Sequence, residues 1–289
     1  MLLIALVLSV PPILAQLGSI DRNAGSVITG ANLTFTTIDV PGAGVTAAYG
    51  INSAGDVVGI YATDINAAHK HGFLLRSGSF SYIDYPAAYA TFAYGINDSG
   101  LVVGSAQFDG GTTARGFTYD GVTFTPIRVK GKTVTITYGI DNGADVVGGD
   151  GNIYSTTGFA LLGGRLKNLN VPGQYVYVFA SGINNIGNIV GWADSNGFLC
   201  RGGSCRLIEI SGANQTSAQG INDSNVIVGW YASSSCVCAF AQRNGRYISF
   251  SYPGAAGTFA DGINVAGQVV GQYTFDYQTY HGFVTSPIF

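Results

Sequence analysis

Short apolar runs alternate along the whole chain with tight clusters of Asn, Gly, Asp and Pro. Such runs, rich in Val, Ile, Thr, Tyr and Phe, predict strands joined by turns rather than helices. The stretch from Thr46 to Tyr85 shows the layout. Thr46–Ile51 reads as a first strand (A), and Asn52–Gly55 as a turn whose Asn and Gly supply the side-chain hydrogen bond and positive φ of a tight hairpin. Asp56–Ala62 is strand B, centred on Val57 and Val58. A variable polar loop follows, then strand C at Lys70–Arg76, a Ser77-Gly78 turn, and strand D at Ser79–Tyr85. Pro86 ends it, because proline cannot donate to a ladder.

The same layout recurs. The phrase Gly-Ile-Asn (Gly-Ile-Asp in the third copy), followed by a turn and a Val-Val-Gly-like strand, begins at Gly50, Gly95, Gly139, Gly182, Gly220 and Gly262, at intervals of 45, 44, 43, 38 and 42 residues. Strand C recurs at Gly72-Phe73, Gly116-Phe117, Gly158-Phe159, Gly197-Phe198, Ala239-Phe240 and Gly282-Phe283. A period of about 40–45 residues made of strands predicts stacked supersecondary units, as in propeller blades.

The ends decide the topology. Leu33–Val40 is a strand D with nothing of its unit before it, and the last unit, Thr258–Phe289, has A, B and C but no D. If Leu33–Val40 pairs beside His281–Ser286, six four-stranded units close into a ring and leave no open end. The connection from strand D to the next strand A must cross about 14 Å, three strand spacings. A six-residue link such as Pro253–Thr258 spans up to roughly 20 Å. The expectation is therefore an all-β, six-bladed β-propeller over residues 33–289. A β-solenoid would need shorter rungs, and an open stack has no use for a split last unit.

Composition refines this picture at three points. Gly is 43 of 289 residues, but the glycines fall at fixed places in each unit, so this is not low complexity. Charged residues are 10%, against about 25% in ordinary domains, and net charge is −3 with no basic stripe, which excludes nucleic acid as a partner. Residues 1–15, MLLIALVLSVPPILA, read as a secretory signal without the usual basic start; the run is too short and Pro-broken for a stable membrane span. Cleavage after Ala15 or retention of this segment are both open, and residues 16–32 read as a linker. An even cysteine count fits an extracellular location. Cys200 and Cys205 flank a hairpin tip and predict a disulfide, whereas Cys236 and Cys238 are open between free thiols and a labile bond.

The Gly-Ile-Asn, Val-Val-Gly and Gly-Phe-Leu steps behind a signal-like segment resemble the extracellular HAF-repeat proteins, named for a His-Ala-Phe triplet. The matching triplets are His71-Gly72-Phe73 and His281-Gly282-Phe283, with Cys238-Ala239-Phe240 a weaker copy. The resemblance covers about residues 33–289. It implies a bacterial exported repeat protein and brings no established reaction and no known catalytic residue.

Candidate chemistry is sparse. There is no Gly-x-Ser-x-Gly elbow and no His-Glu-x-x-His. Gly131-Lys132-Thr133 is not a phosphate loop, since Pro126 stands where its first glycine belongs. With Glu209 the one glutamate, any catalytic acid pair must be built from aspartates, and no pair is nominated. No cofactor motif is present. His69 and His71 share a strand face and are a weak metal candidate; solvated histidines at a loop edge are the plainer reading. His71, Cys238 and His281 fill one slot in neighbouring blades, but that slot lies about 10 Å outside the inner strand. A shared site with ~2.0–2.3 Å bonds is therefore excluded. Asn97-Asp98-Ser99-Gly100 and Asn222-Asp223-Ser224 offer oxygens to calcium, yet a strand turn needs the same residues. The most promising binding residues are Phe275, Tyr277 and Tyr280 of the loop TFDYQTY, able to stack on a sugar or peptide or simply to cover a blade edge.

These readings leave three functions. The first is an exported, non-catalytic scaffold that self-assembles, even into filaments, through a retained residue 1–15 arm. The second is an extracellular propeller module binding a glycan or peptide. The third, with the least support, is a polysaccharide hydrolase or lyase. A cluster of Asp, His and Arg at the channel mouth would favour the third.

Overall fold

The computed structural model describes residues 27–29 and 33–289. Among them the one helical element is a single 3-10 turn, Asp109–Gly111, and no helix is long and apolar enough to cross a membrane. Everything else regular is strand. Blade 1 contains Val45–Ile51, Val57–Ala62, His71–Arg76 and Ser79–Ile83, hydrogen-bonded in that order as an antiparallel meander. The inner strands of blades 2 to 6 are Ala90–Ile96, Val134–Ile140, Val178–Ile183, Ala213–Ile221 and Gly257–Ile263. The protein is a β-propeller of six four-stranded blades among the described residues.

The ring closes where the end bookkeeping requires. Phe35–Ile38 pairs antiparallel with His281–Thr285, Phe35 opposite Thr285 and Ile38 opposite Gly282. The first residues of the propeller thus supply the outer strand of blade 6. Within the segment expected as a linker, Val27–Thr29 forms a short strand parallel to Tyr247–Ser249, on the outer edge of blade 5. Residues 1–15 lie outside the described residues.

Two repeated residues explain why the sequence repeats. The Phe of each Gly-Phe step is almost fully buried: Phe73, Phe117, Phe159, Phe198, Phe240 and Phe283 are at most 1% exposed. Each lies across the ladder from the Gly of Val-Val-Gly, as Phe73 does from Gly59, and a side chain there would strike the ring. Burying each phenyl contributes about 2–3 kcal/mol to holding its blade together. The Gly of Gly-Ile-Asn sits where neighbouring inner strands meet. A Cβ on Gly262 would lie 2.6 Å from the Tyr49 carbonyl oxygen of blade 1. The same contact runs from each blade to the next, so the six glycines let the backbones close on the axis.

The Asn of the phrase has two tasks. Its side-chain oxygen caps the A–B turn: Asn52 Oδ1 accepts from the N–H groups of Ala54 and Asp56 at 3.1 and 2.9 Å. Its amide donates to the equivalent carbonyl of the next blade. The links run Asn52 to Asn97 (3.3 Å), Asn97 to Asp141 (3.1 Å), Asn184 to Asn222 (3.0 Å), Asn222 to Asn264 (3.0 Å), and Asn264 back to Asn52 (3.2 Å). Blade 3 has Asp141 in this place. Its carboxyl still accepts the turn bond from Asp145 N–H, but a carboxylate has nothing to donate onward. The turns weighed as calcium ligands form a second tier of the collar. Asp98 accepts from the Ser53 N–H at 2.8 Å and Asp223 from the Asn185 N–H at 2.9 Å.

Both cysteine pairs are bridged. Cys200–Cys205 joins directly opposed residues of one hairpin, as expected, and Cys236 is bonded to Cys238.

Candidate functional site

Each inner strand carries a β-bulge, at the same place in every blade. The register shifts across Ala48/Gly50, Ala93/Gly95, Thr137/Gly139, Ala180/Gly182, Ala218/Gly220 and Ala260/Gly262. The extra residue is the one preceding Gly-Ile-Asn: Tyr49, Tyr94, Tyr138, Ser181, Gln219 and Asp261. A bulge re-aims a side chain, and here six bulges aim six side chains at the axis. With Trp192 of blade 4 they line one recess. Beyond it the channel runs through rings of Gly and Ile to the Asn collar.

The recess has an aromatic half and a polar half. Blades 1 to 3 contribute the tyrosines. Ring centres are 5.3 Å apart for Tyr49 and Tyr94, and 4.5 Å for Tyr94 and Tyr138. Phe92 stacks on Tyr94 at 5.7 Å, Phe179 meets Tyr138 edge-on at 5.6 Å, and Trp192 lies 4.7 Å from Phe179. Burial raises all three phenols above the ordinary tyrosine range, so they stay protonated, and the Tyr94 hydroxyl is hydrogen-bonded to Ser105 and Tyr138.

Blades 4 to 6 contribute Ser181, Gln219 and Asp261. Gln219 Nε2 donates to Ser217 Oγ at 2.9 Å, which leaves the amide oxygen to accept. Ser181 Oγ and Asp261 Oδ2 are buried and have no hydrogen-bond partner among the described residues. Loss of hydration pushes the Asp261 carboxyl up to about 8. At neutral pH the Asp261 carboxyl is therefore protonated. Among the described residues, no Lys, Arg, His or Cys lines it.

The residues singled out in the sequence lie elsewhere. Phe275, Tyr277 and Tyr280 share the B–C loop of blade 6 but do not form one platform. Phe275 is half-exposed and leans on Tyr252 and Tyr273, with ring centres 6.3 and 5.6 Å away. Tyr277 donates its hydroxyl to the Ala256 carbonyl at 2.8 Å. Tyr280 is buried beside Phe259, which pushes its phenol up to about 12.

His69 and His71 point to different partners. His69 Nδ1 is 2.8 Å from the Tyr89 carbonyl, and His71 Nδ1 is 2.8 Å from Asp84 Oδ1 while its ring stacks on Tyr61. Blade 6 repeats the second arrangement, with His281 3.0 Å from Asp39 and stacked on Tyr273. In blade 5 the same slot holds Cys238, whose sulfur accepts from Ser251 Oγ. No group of three or more His, Cys, Asp or Glu suited to a metal occurs among the described residues.

The recess itself escaped sequence reasoning. Its signal was the one variable residue fixed in place before an otherwise constant phrase: Tyr, Tyr, Tyr, Ser, Gln, Asp.

No family model matches the chain, and no curated protein matches it. Solved structures do. A gluconolactonase-like protein aligns with a TM-score of 0.54 at 12% identity, covering 89% of this chain and 93% of its own. Regucalcin, a calcium-binding protein of Agrobacterium tumefaciens, aligns at 0.53 and 10%, covering 92% and 98%. YCF48 bound to D1 peptide aligns at 0.50 and 8%, covering 91% and 100%. At these identities the likeness shows the fold, a β-propeller, and nothing of the chemistry.

Proposed function

We propose that this protein is an exported, non-catalytic propeller module that binds a peptide at the recess on its axis. One observation carries the reading: six bulges direct three phenols, a hydroxyl, an amide and one acid into a single recess, with an indole at its edge. The set suits recognition. It offers donors, acceptors and ring faces, but no nucleophile beside a base and no second carboxylate. The cluster of Asp, His and Arg that a hydrolase or lyase would need is not what lines it. The recess is narrow, with room for a side-chain-sized head group rather than a sugar ring, which favours a peptide over a glycan. A fold neighbour, YCF48, is known bound to a peptide. Two disulfides and the HAF-repeat resemblance agree with export to an oxidising, extracellular setting.

Peptide and glycan arrays probed with the wild-type protein and with Trp192→Ala test this. We expect peptide spots that the variant loses. Binding confined to glycans, or peptide binding indifferent to Trp192, would refute the reading.

One observation keeps the scaffold reading as a second proposal. The outer edge of blade 5 takes Val27–Thr29 as an added parallel strand, a pairing that the same segment of a second copy would also supply. The retained apolar arm that would drive assembly lies in residues 1–15, outside the described residues. Analytical ultracentrifugation of the full chain separates the two, with dispersed monomers at high concentration excluding self-assembly.

A further inference from the structure

Resting on the binding-module reading, we propose that the axial recess recognises a primary ammonium group, such as a lysine side chain or a free alkylamine, held on Asp261 with Ser181 and Gln219. Among the described residues, Asp261 Oδ2 and Ser181 Oγ are buried polar atoms in one recess with no hydrogen-bond partner. Leaving such groups unpaired is costly, so the site is built for donors that arrive with a ligand. An ammonium has three N–H donors on one small head. The recess answers with Asp261 Oδ2, Ser181 Oγ and the Gln219 amide oxygen, the last freed by the bond from its own Nε2 to Ser217. The tyrosine and Trp192 rings add attraction for a cation.

Other cations fit less well. Calcium takes six to eight oxygens, most of its charge balanced by carboxylates. Here there is one carboxylate, and the phenols remain protonated. A quaternary ammonium has nothing to donate, and it needs ring faces on several sides. These rings occupy one half of the recess, and Tyr94 and Tyr138 are 4.5 Å apart, too close to seat a cation between them.

Binding has a proton balance. The titratable groups facing Asp261 are the phenols of Tyr49, Tyr94, Tyr138 and, through Tyr49, Tyr280; all stay neutral. The ligand binds the ionised acid, so the carboxyl proton leaves to solvent when a charged ammonium enters below pH 8.

The test is a fluorescence titration of the full chain with n-butylammonium chloride, with sodium chloride as the ionic control. At pH 8.5 we expect saturable binding, weakened at least about tenfold by Asp261→Asn, a change that keeps the volume. In the wild type alone, affinity should rise about tenfold per pH unit from 6 to 7.5 and level off near pH 8. This second readout stands even if the variant folds poorly. Tetramethylammonium should bind at least about tenfold more weakly.

No saturable binding, a flat pH profile, unchanged affinity in Asp261→Asn, or equal binding of tetramethylammonium would each overturn the proposal. A lysine tripeptide and its acetyl-lysine form then identify the source. Tight binding of the first alone assigns a peptide side chain, and binding no tighter than butylammonium assigns a free amine. Array peptides that bind through Trp192 but ignore lysine acetylation would refute the ammonium and leave the binding module standing. Arrays with no ligand would refute the module itself.

Discussion

The recess and the collar of the central axis are built from residues three apart in each blade and behave in opposite ways. At the collar the residue is Asn in five blades and Asp in one, and every Asn satisfies both its turn and its neighbour. At the recess, three residues earlier in each blade, the residue changes around the ring, and two buried polar atoms have no partner among the described residues. The difference teaches how to read a repeat protein. What is constant holds the blades to one another; what varies at a constant position is free to contact something else.

The largest expected effect comes from Asp261. Its folded-state carboxyl sits at about 8, well above the ordinary value near 3.9 in the unfolded chain. Between those values the folded state holds a proton that the unfolded state has lost. The associated stability is full below about pH 4 and is lost as pH rises through 8. Urea unfolding from pH 5 to 8 should show a loss of about 1.4 kcal/mol per pH unit, or roughly 4 kcal/mol in all. Asp261→Asn should flatten that slope; an unchanged slope would mean that the acid is solvated.

The next residue should behave differently. Gly262→Ala drives a methyl against the Tyr49 carbonyl and the Val270 side chain and should cost about 3 kcal/mol at every pH, read by the same unfolding curves. At the collar, Asn222→Asp removes the donation to the Asn264 carbonyl and should cost about 1–2 kcal/mol. The reverse change, Asp141→Asn, supplies the donor that blade 3 lacks. It should gain about 1 kcal/mol, seen as a raised thermal midpoint. If Asp141→Asn instead destabilises, the collar is not a cooperative device and the contrast between recess and collar weakens.

The architecture was legible because its causes repeat. Gly50, Asn52, Gly59 and Phe73 each have five near-identical copies, and the lone outer strand near Phe35 had one open edge to complete, beside Phe283. The recess was not legible for the same physical reason in reverse. Strict alternation does not show that Tyr49 or Asp261 is the extra residue of a bulge, since a bulge breaks the period it would be read from. An aspartate inside the apolar run Phe259–Ile263 was nonetheless a visible anomaly. Loop aromatics drew attention because loops commonly bind, yet Tyr280 is turned inward. The spacing of His71 from Asp84 and of His281 from Asp39 carried the histidine–carboxylate pairs, which need adjacent strands to be seen together.

The most direct test of the account is a nuclear magnetic resonance perturbation map of the protein with an array-selected peptide. Shifts are expected at Tyr49, Tyr94, Trp192 and Asp261, with the collar residues Asn52, Asn184 and Asn264 unmoved. Shifts confined to the collar, or to the outer strands around Phe275, would contradict it.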